Sequence, residues 1–175
     1  MKVIVLLLIL SSCIGSCIIQ LVRGNSYEYL TPEEITLIHE FSSSEKLIPN
    51  HIYQITADDL KVELKKHNKS LVYLFANGCK SDDCLPMTIV SNYAKEHNLK
   101  LFLIMVDYFS LDKTLNQESG EMFYSIKSGE LIEKNKKYLK TFKKSLGYYD
   151  FSNEEYLGGY VFFEKDTIID IKRSI

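Results

Sequence analysis

An α/β fold built on parallel strands is predicted by three observations. Residues 70–76 (SLVYLFA) are a short apolar run of β-formers without Gly or Pro, which suits a buried strand. Residues 101–108 (LFLIMVDY) are a second such run. Between them Leu85, Ile89, Tyr93 and His97 recur every four residues, with Pro86, Val90 and Ala94 beside them, the stripe of an amphipathic helix. Two buried strands joined through a helix imply a right-handed β-α-β unit in a parallel sheet. Asn77-Gly78 breaks the first strand, and Cys79 and Cys84 follow it. The cysteines therefore fall at the carboxyl end of a strand, where open α/β sheets place their chemistry.

Length and composition fit this class. The 175 residues make one domain, and with 46% hydrophobic and 12% aromatic residues the chain can bury a substantial core. A formal net charge of −2 gives no electrostatic basis for binding nucleic acid. The four cysteines, at 13, 17, 79 and 84, are too few for a disulfide scaffold and lack zinc-finger spacing. GxSxG, P-loop, HExxH and dinucleotide motifs are all absent from the sequence, so no cofactor is expected. Asp82-Asp83 reads as a helix-start pair before it reads as a catalytic dyad.

At the amino terminus, Met1-Lys2 supplies a short positive region and residues 3–10 (VIVLLLIL) an apolar core of signal-peptide length. Leu10-Ser11-Ser12-Cys13 follows and resembles the lipobox of bacterial lipoproteins. That resemblance implies a signal peptide over 1–12, lipidation at Cys13, a tether over 13–30 and a membrane anchor. Two other leaders fit the same residues: an uncleaved signal anchor, since residues 3–22 are about long enough to span a bilayer, or plain secretion. Ile14-Gly15-Ser16-Cys17 is a poorer lipobox, which leaves Cys17 as part of the tether. All three place the folded part outside the cytoplasm, facing the periplasm or the exterior, where a disulfide persists.

The domain spans 31–175. Thr31 caps, Pro32 takes the first helical position and Glu34 completes a capping box, and Ile35, Leu37, Ile38 and Phe41 extend a short helix on the outside of the domain. Residues 51–55 (HIYQI) alternate as a strand. Thr56 and Asp59 then open a helix to about His67, with Leu60 and Leu64 on its buried face. At the far end, residues 158–163 (GGYVFF), a turn at 164–166 and residues 167–171 form a hairpin.

A cysteine pair after a hydrophobic strand, a helix with Pro86 in its first turns and a closing hairpin together resemble the thioredoxin superfamily, over about residues 51–171. The resemblance implies a three-layer fold with a central mixed sheet. The extra N-terminal helix and a helical insertion at 129–157, before the hairpin, are additions to it. It also implies thiol–disulfide exchange with a protein substrate, Cys79 attacking and Cys84 resolving. Two departures stand beside it. Four residues separate the cysteines where thioredoxins have two, and the chain has no Trp. The family's cis-proline before the hairpin has no counterpart, because the only prolines are Pro32, Pro49 and Pro86. These departures favour a rival from another class, a non-catalytic binding module that keeps the fold and a structural disulfide.

Geometry limits how Cys79 and Cys84 can bond. In one α-helix, residues five apart are rotated by about 500° and separated by roughly 7.5 Å of rise. A disulfide needs Cα atoms within about 7 Å and converging Cβ vectors. Cys79 must then lie in the loop, with the helix beginning near Ser81 to Cys84. A thiol near that helix start has its thiolate favoured by the dipole; Lys80 helps, and Asp82 and Asp83 oppose. Cys79, Cys84, Pro86, Met87 and Thr88 also resemble, more faintly, the Cys-x-x-x-Cys-Pro of copper-delivering proteins of the Sco type, where two thiolates suit Cu(I). That family's downstream histidine is missing, since the last histidine is His97.

Between the second buried strand and the hairpin, Ser110 can cap a short helix to about Gln117, and residues 122–127 (MFYSIK) form a strand. Residues 130–146 read as a helix with Leu131, Tyr138, Leu139 and Phe142 inward. Its lysines 134, 136, 137, 140, 143 and 144 spread over the outer surface, a solvated face or a patch for anionic headgroups. Tyr148, Tyr149, Phe151 and Tyr156 follow as core and loop packing or as a partner-docking rim. Asp107, at the end of its strand, either caps locally or tunes a thiol at the same sheet edge.

Overall fold

The computed structural model describes residues 27–77, 85–117, 119–127, 137–148 and 159–175. In chain order these are a 3₁₀ turn (Tyr27–Tyr29), α1 (Pro32–Ile35), β1 (Ile38–Glu40), β2 (Ile52–Ile55), α2 (Ala57–Lys65) and β3 (Lys69–Phe75). There follow α3 (Met87–Glu96), β4 (Lys100–Met105), α4 (Leu111–Leu115), β5 (Phe123–Ile126), α5 (Lys137–Ser145), β6 (Gly159–Glu164) and β7 (Thr167–Lys172). The strands make one mixed sheet in the order β1-β2-β5-β4-β3-β6-β7. The first five positions run parallel, and β6 and β7 are antiparallel additions on the β3 side. The expected α/β class, mixed sheet and closing hairpin are all present.

The apolar runs of β3 and β4 are buried on both faces after their first residue, as central parallel strands require. Pleating sorts their side chains into two cores. Val72 and Leu74 join Leu60 and Leu64 of α2 and Leu139 and Phe142 of α5 on one face. Leu71, Tyr73 and Phe75 join Met87, Val90 and Ala94 of α3 and Leu111 of α4 on the other. A core on each face is compatible with a three-layer arrangement. Tyr27 and Leu30, in the segment read as tether, pack against the second core.

Local chemistry explains where the elements begin. Thr31 Oγ1 accepts from the Glu34 N–H while Glu34 Oε2 accepts from the Thr31 N–H, the reciprocal box read from sequence. Thr56 and Asp59 form a second such box for α2.

Several expectations need correction. The N-terminal helix is a single turn, and Ile38 and the residues after it do not continue it. They form β1, paired in parallel with the free side of β2. The buried face of α3 is Met87, Val90, Ser91 and Ala94, whereas Ile89 and His97 are exposed. Successive helical residues turn by about 100°, so Ile89 stands about 200° round from Met87, while Val90 and Ala94 of the expected stripe fall on the buried face and Tyr93 packs at its edge. Pro86 stands at the N-cap of α3 with extended backbone, so the described helix opens at Met87. Ser110 precedes α4 in the left-handed conformation and makes no side-chain cap bond. Lys143 is buried with its Nζ 5.7 Å from the Tyr148 ring centre, not on the outer face. Residues 129–136 and 149–157 of the expected insertion lie outside the described residues, as do Leu131, Tyr149, Phe151 and Tyr156.

Candidate functional site

The carboxyl ends of β2, β5, β4 and β3 line up along one edge of the sheet, and buried polar groups collect there. Tyr108, just past β4, places its hydroxyl between the Gln54 Nε2 donor of β2 at 2.9 Å and Ser125 Oγ of β5 at 2.7 Å. The three side chains stitch the ends of three strands together. Burial pushes the Tyr108 hydroxyl above its usual range, against those two hydrogen bonds. Tyr138 of α5 reaches the same edge and donates to the Val106 carbonyl. Burial raises its hydroxyl first, and the nearby Asp107 carboxyl and Tyr108 add to the shift.

Asp107 is the one carboxyl with a shifted pKa among the described residues. It is 5% exposed, and its Oδ1 accepts from the Phe109 N–H at 2.9 Å. Burial raises its pKa and that bond opposes the rise. The local-capping role read for Asp107 is thus observed. The turn it caps carries Phe109 exposed to solvent and Ser110 at φ 52°, a left-handed conformation uncommon outside Gly and Asn.

Asn77 braces the same turn from the end of β3. Its Nδ2 donates to the Phe109 carbonyl at 2.8 Å, the Ser110 carbonyl at 3.1 Å and Thr114 Oγ1 at 2.5 Å. On the far side of residues 78–84, the Met87 N–H donates to Gln117 Oε1 at 3.4 Å. Ser91 Oγ donates to the Ser119 carbonyl at 3.0 Å, which ties α3 to the same stretch. Both flanks of the cysteine segment are therefore bonded to residues 109–119, the α4 region. Sequence reading found Asn77 only as a strand breaker and gave Gln117 no role beyond the end of a helix. A polar residue at a strand end signals a turn, but nothing in the sequence signals its distant acceptors.

Cys13, Cys79 and Cys84, the residues expected to carry chemistry, lie outside the described residues. Among the described residues no cluster of three or more His, Cys, Asp or Glu forms a metal site. No described helix is long and apolar enough to cross a membrane. The chain matches no family model, no curated protein and no solved structure.

Proposed function

We propose that this chain is a thioredoxin-like protein, anchored outside a bacterial cytoplasmic membrane through Cys13, that exchanges thiols and disulfides through Cys79 and Cys84. One observation carries the reading. The cysteine pair belongs to the connection between a central buried strand, β3, and the helix α3 that follows it, and both flanks of that connection are bonded to the α4 region. Such a base restricts the ends of a loop, and a restricted dithiol closes into a disulfide at lower entropic cost.

In the reductive direction the Cys79 thiolate attacks a sulfur of the substrate's disulfide, forming a mixed disulfide and releasing one substrate thiolate. The Cys84 thiolate then attacks Cys79, the mixed disulfide breaks, and the second substrate thiol leaves. Two electrons pass to the substrate and the Cys79–Cys84 disulfide remains. With the pair oxidised, a substrate dithiol runs the same steps backwards.

The test is the reduction potential of Cys79 and Cys84 in the full chain with Cys13 and Cys17 replaced by Ser. It is measured by equilibration with glutathione and a mass readout. A potential between roughly −120 and −270 mV is expected. A value below about −300 mV marks a structural bridge, and the binding-module reading then replaces this one.

A further inference from the structure

Two histidines meet on the sheet edge formed by β1 and β2. His39 is the middle residue of β1, and His51 immediately precedes β2. Their rings are 4.8 Å apart between centroids and inclined at 68°, and the His39 ring also lies 5.7 Å from that of Tyr53. Both residues are half-buried. Among the described residues, His39 Nε2 and His51 Nδ1 are each buried and have no hydrogen-bond partner.

A shielded polar atom without a partner is destabilising, so two on neighbouring rings call for a physical reason. The inclined rings allow one N–H to point at the face of the other, which accounts for one nitrogen and leaves the second. Ligation accounts for both. With His39 as the Nδ1–H tautomer and His51 as the Nε2–H tautomer, each orphan nitrogen carries a lone pair. Two imidazole lone pairs on rings 4.8 Å apart are a donor set suited to a borderline divalent cation. Among the described residues no third His, Cys, Asp or Glu joins them to make a cluster of three. The Tyr53 hydroxyl accepts from the Ile48 N–H at 2.6 Å, and the Glu40 carboxylate pairs with Lys127 Nζ at 2.9 Å.

We propose that His39 Nε2 and His51 Nδ1 form a two-imidazole site for a divalent cation of the zinc class, independent of the cysteine chemistry. With two protein ligands the remaining positions of a tetrahedral ion go to water or to an incoming ligand, so the ion exchanges readily. Bound there, it fastens the short strand β1 to the start of β2.

Zinc chloride alone is the probe, added to the full chain with its cysteines alkylated by iodoacetamide so that no thiolate competes. Nitrogen-resolved NMR of the imidazoles is expected to show coordination shifts at His39 Nε2 and His51 Nδ1 together. Saturating zinc is expected to raise the unfolding midpoint by about 5 °C or more. His39→Ala and His51→Ala should each abolish the midpoint rise, and His97→Ala, at an exposed ring stacked on Tyr93, should leave it intact. No shift at either nitrogen, a shift at one alone, or a midpoint rise that survives both alanine variants overturns the site. Should those variants unfold, the wild-type spectrum decides.

Discussion

Asn77 shows how much structure one amide can hold. Its nitrogen has two hydrogens and three oxygen acceptors within 3.1 Å, so at least one of the bonds is shared. Asn77→Ala leaves two backbone carbonyls without that donor and is expected to cost about 1–3 kcal/mol. Asn77→Asp is nearly isosteric and sets a carboxylate against the same carbonyls, so it should be the more damaging of the two. Denaturant unfolding of both variants checks the order. Asp107 makes a prediction of a different kind. Burial raises its pKa above the usual 3.8, so the folded chain keeps this proton to higher pH than the unfolded chain does. The group's contribution to stability is therefore greatest in acid and is lost as pH rises through the folded pKa. Asp107→Asn removes that dependence and keeps an oxygen for the Phe109 N–H. Relative to wild type, the variant should gain stability as pH rises above the ordinary carboxylate range and converge with it in acid, as thermal unfolding at several pH values would show.

Elements with a strong local signal were readable, and those decided by neighbours were not. The capping boxes at Thr31 and Thr56 depend on residues three apart, and both are present as read. What Ile38 and His39 become depends instead on an open strand edge twelve or more residues away, and helix propensity lost to that edge. The hairpin was legible from its turn, but its outer strand has a property that pattern alone conceals. β7 ends the sheet, and the Ile171 N–H is taken by the carboxylate of the preceding residue, Asp170, at 2.8 Å. Ile169 and Ile171 are exposed beside it. A charged residue on an edge strand hinders pairing with another chain. Asp170→Ala frees the N–H and removes the charge, so this variant should self-associate at concentrations where wild type does not, as sedimentation velocity would reveal.

At the scale of the molecule, strand identity was legible and strand order was not. Buried runs, turns and helical stripes announce where strands lie, because each depends on residues close in sequence. Which strands become neighbours depends on how the helices between them cross the sheet. Residues 122–127 read as a strand without revealing its neighbours, and the β5 they form sits inside the sheet between β2 and β4. The candidate site divides the same way. The position of the cysteine pair after a strand could be read directly, whereas the brace from Asn77 and the Gln54, Tyr108 and Ser125 bridge join strands far apart in sequence.

The place of β5 also sets a timetable. Among the described strands, β1 and β2 join the rest of the sheet only through it, and it comes about seventy residues after β2 in the chain. As the chain emerges from a ribosome or a translocation channel, the first two strands must wait, edges open, for the one that receives them. β3 waits longer still for β6. Pairings this distant in sequence slow folding, so this chain should belong with the slower folders of its size and be most open to a chaperone before residue 123 arrives.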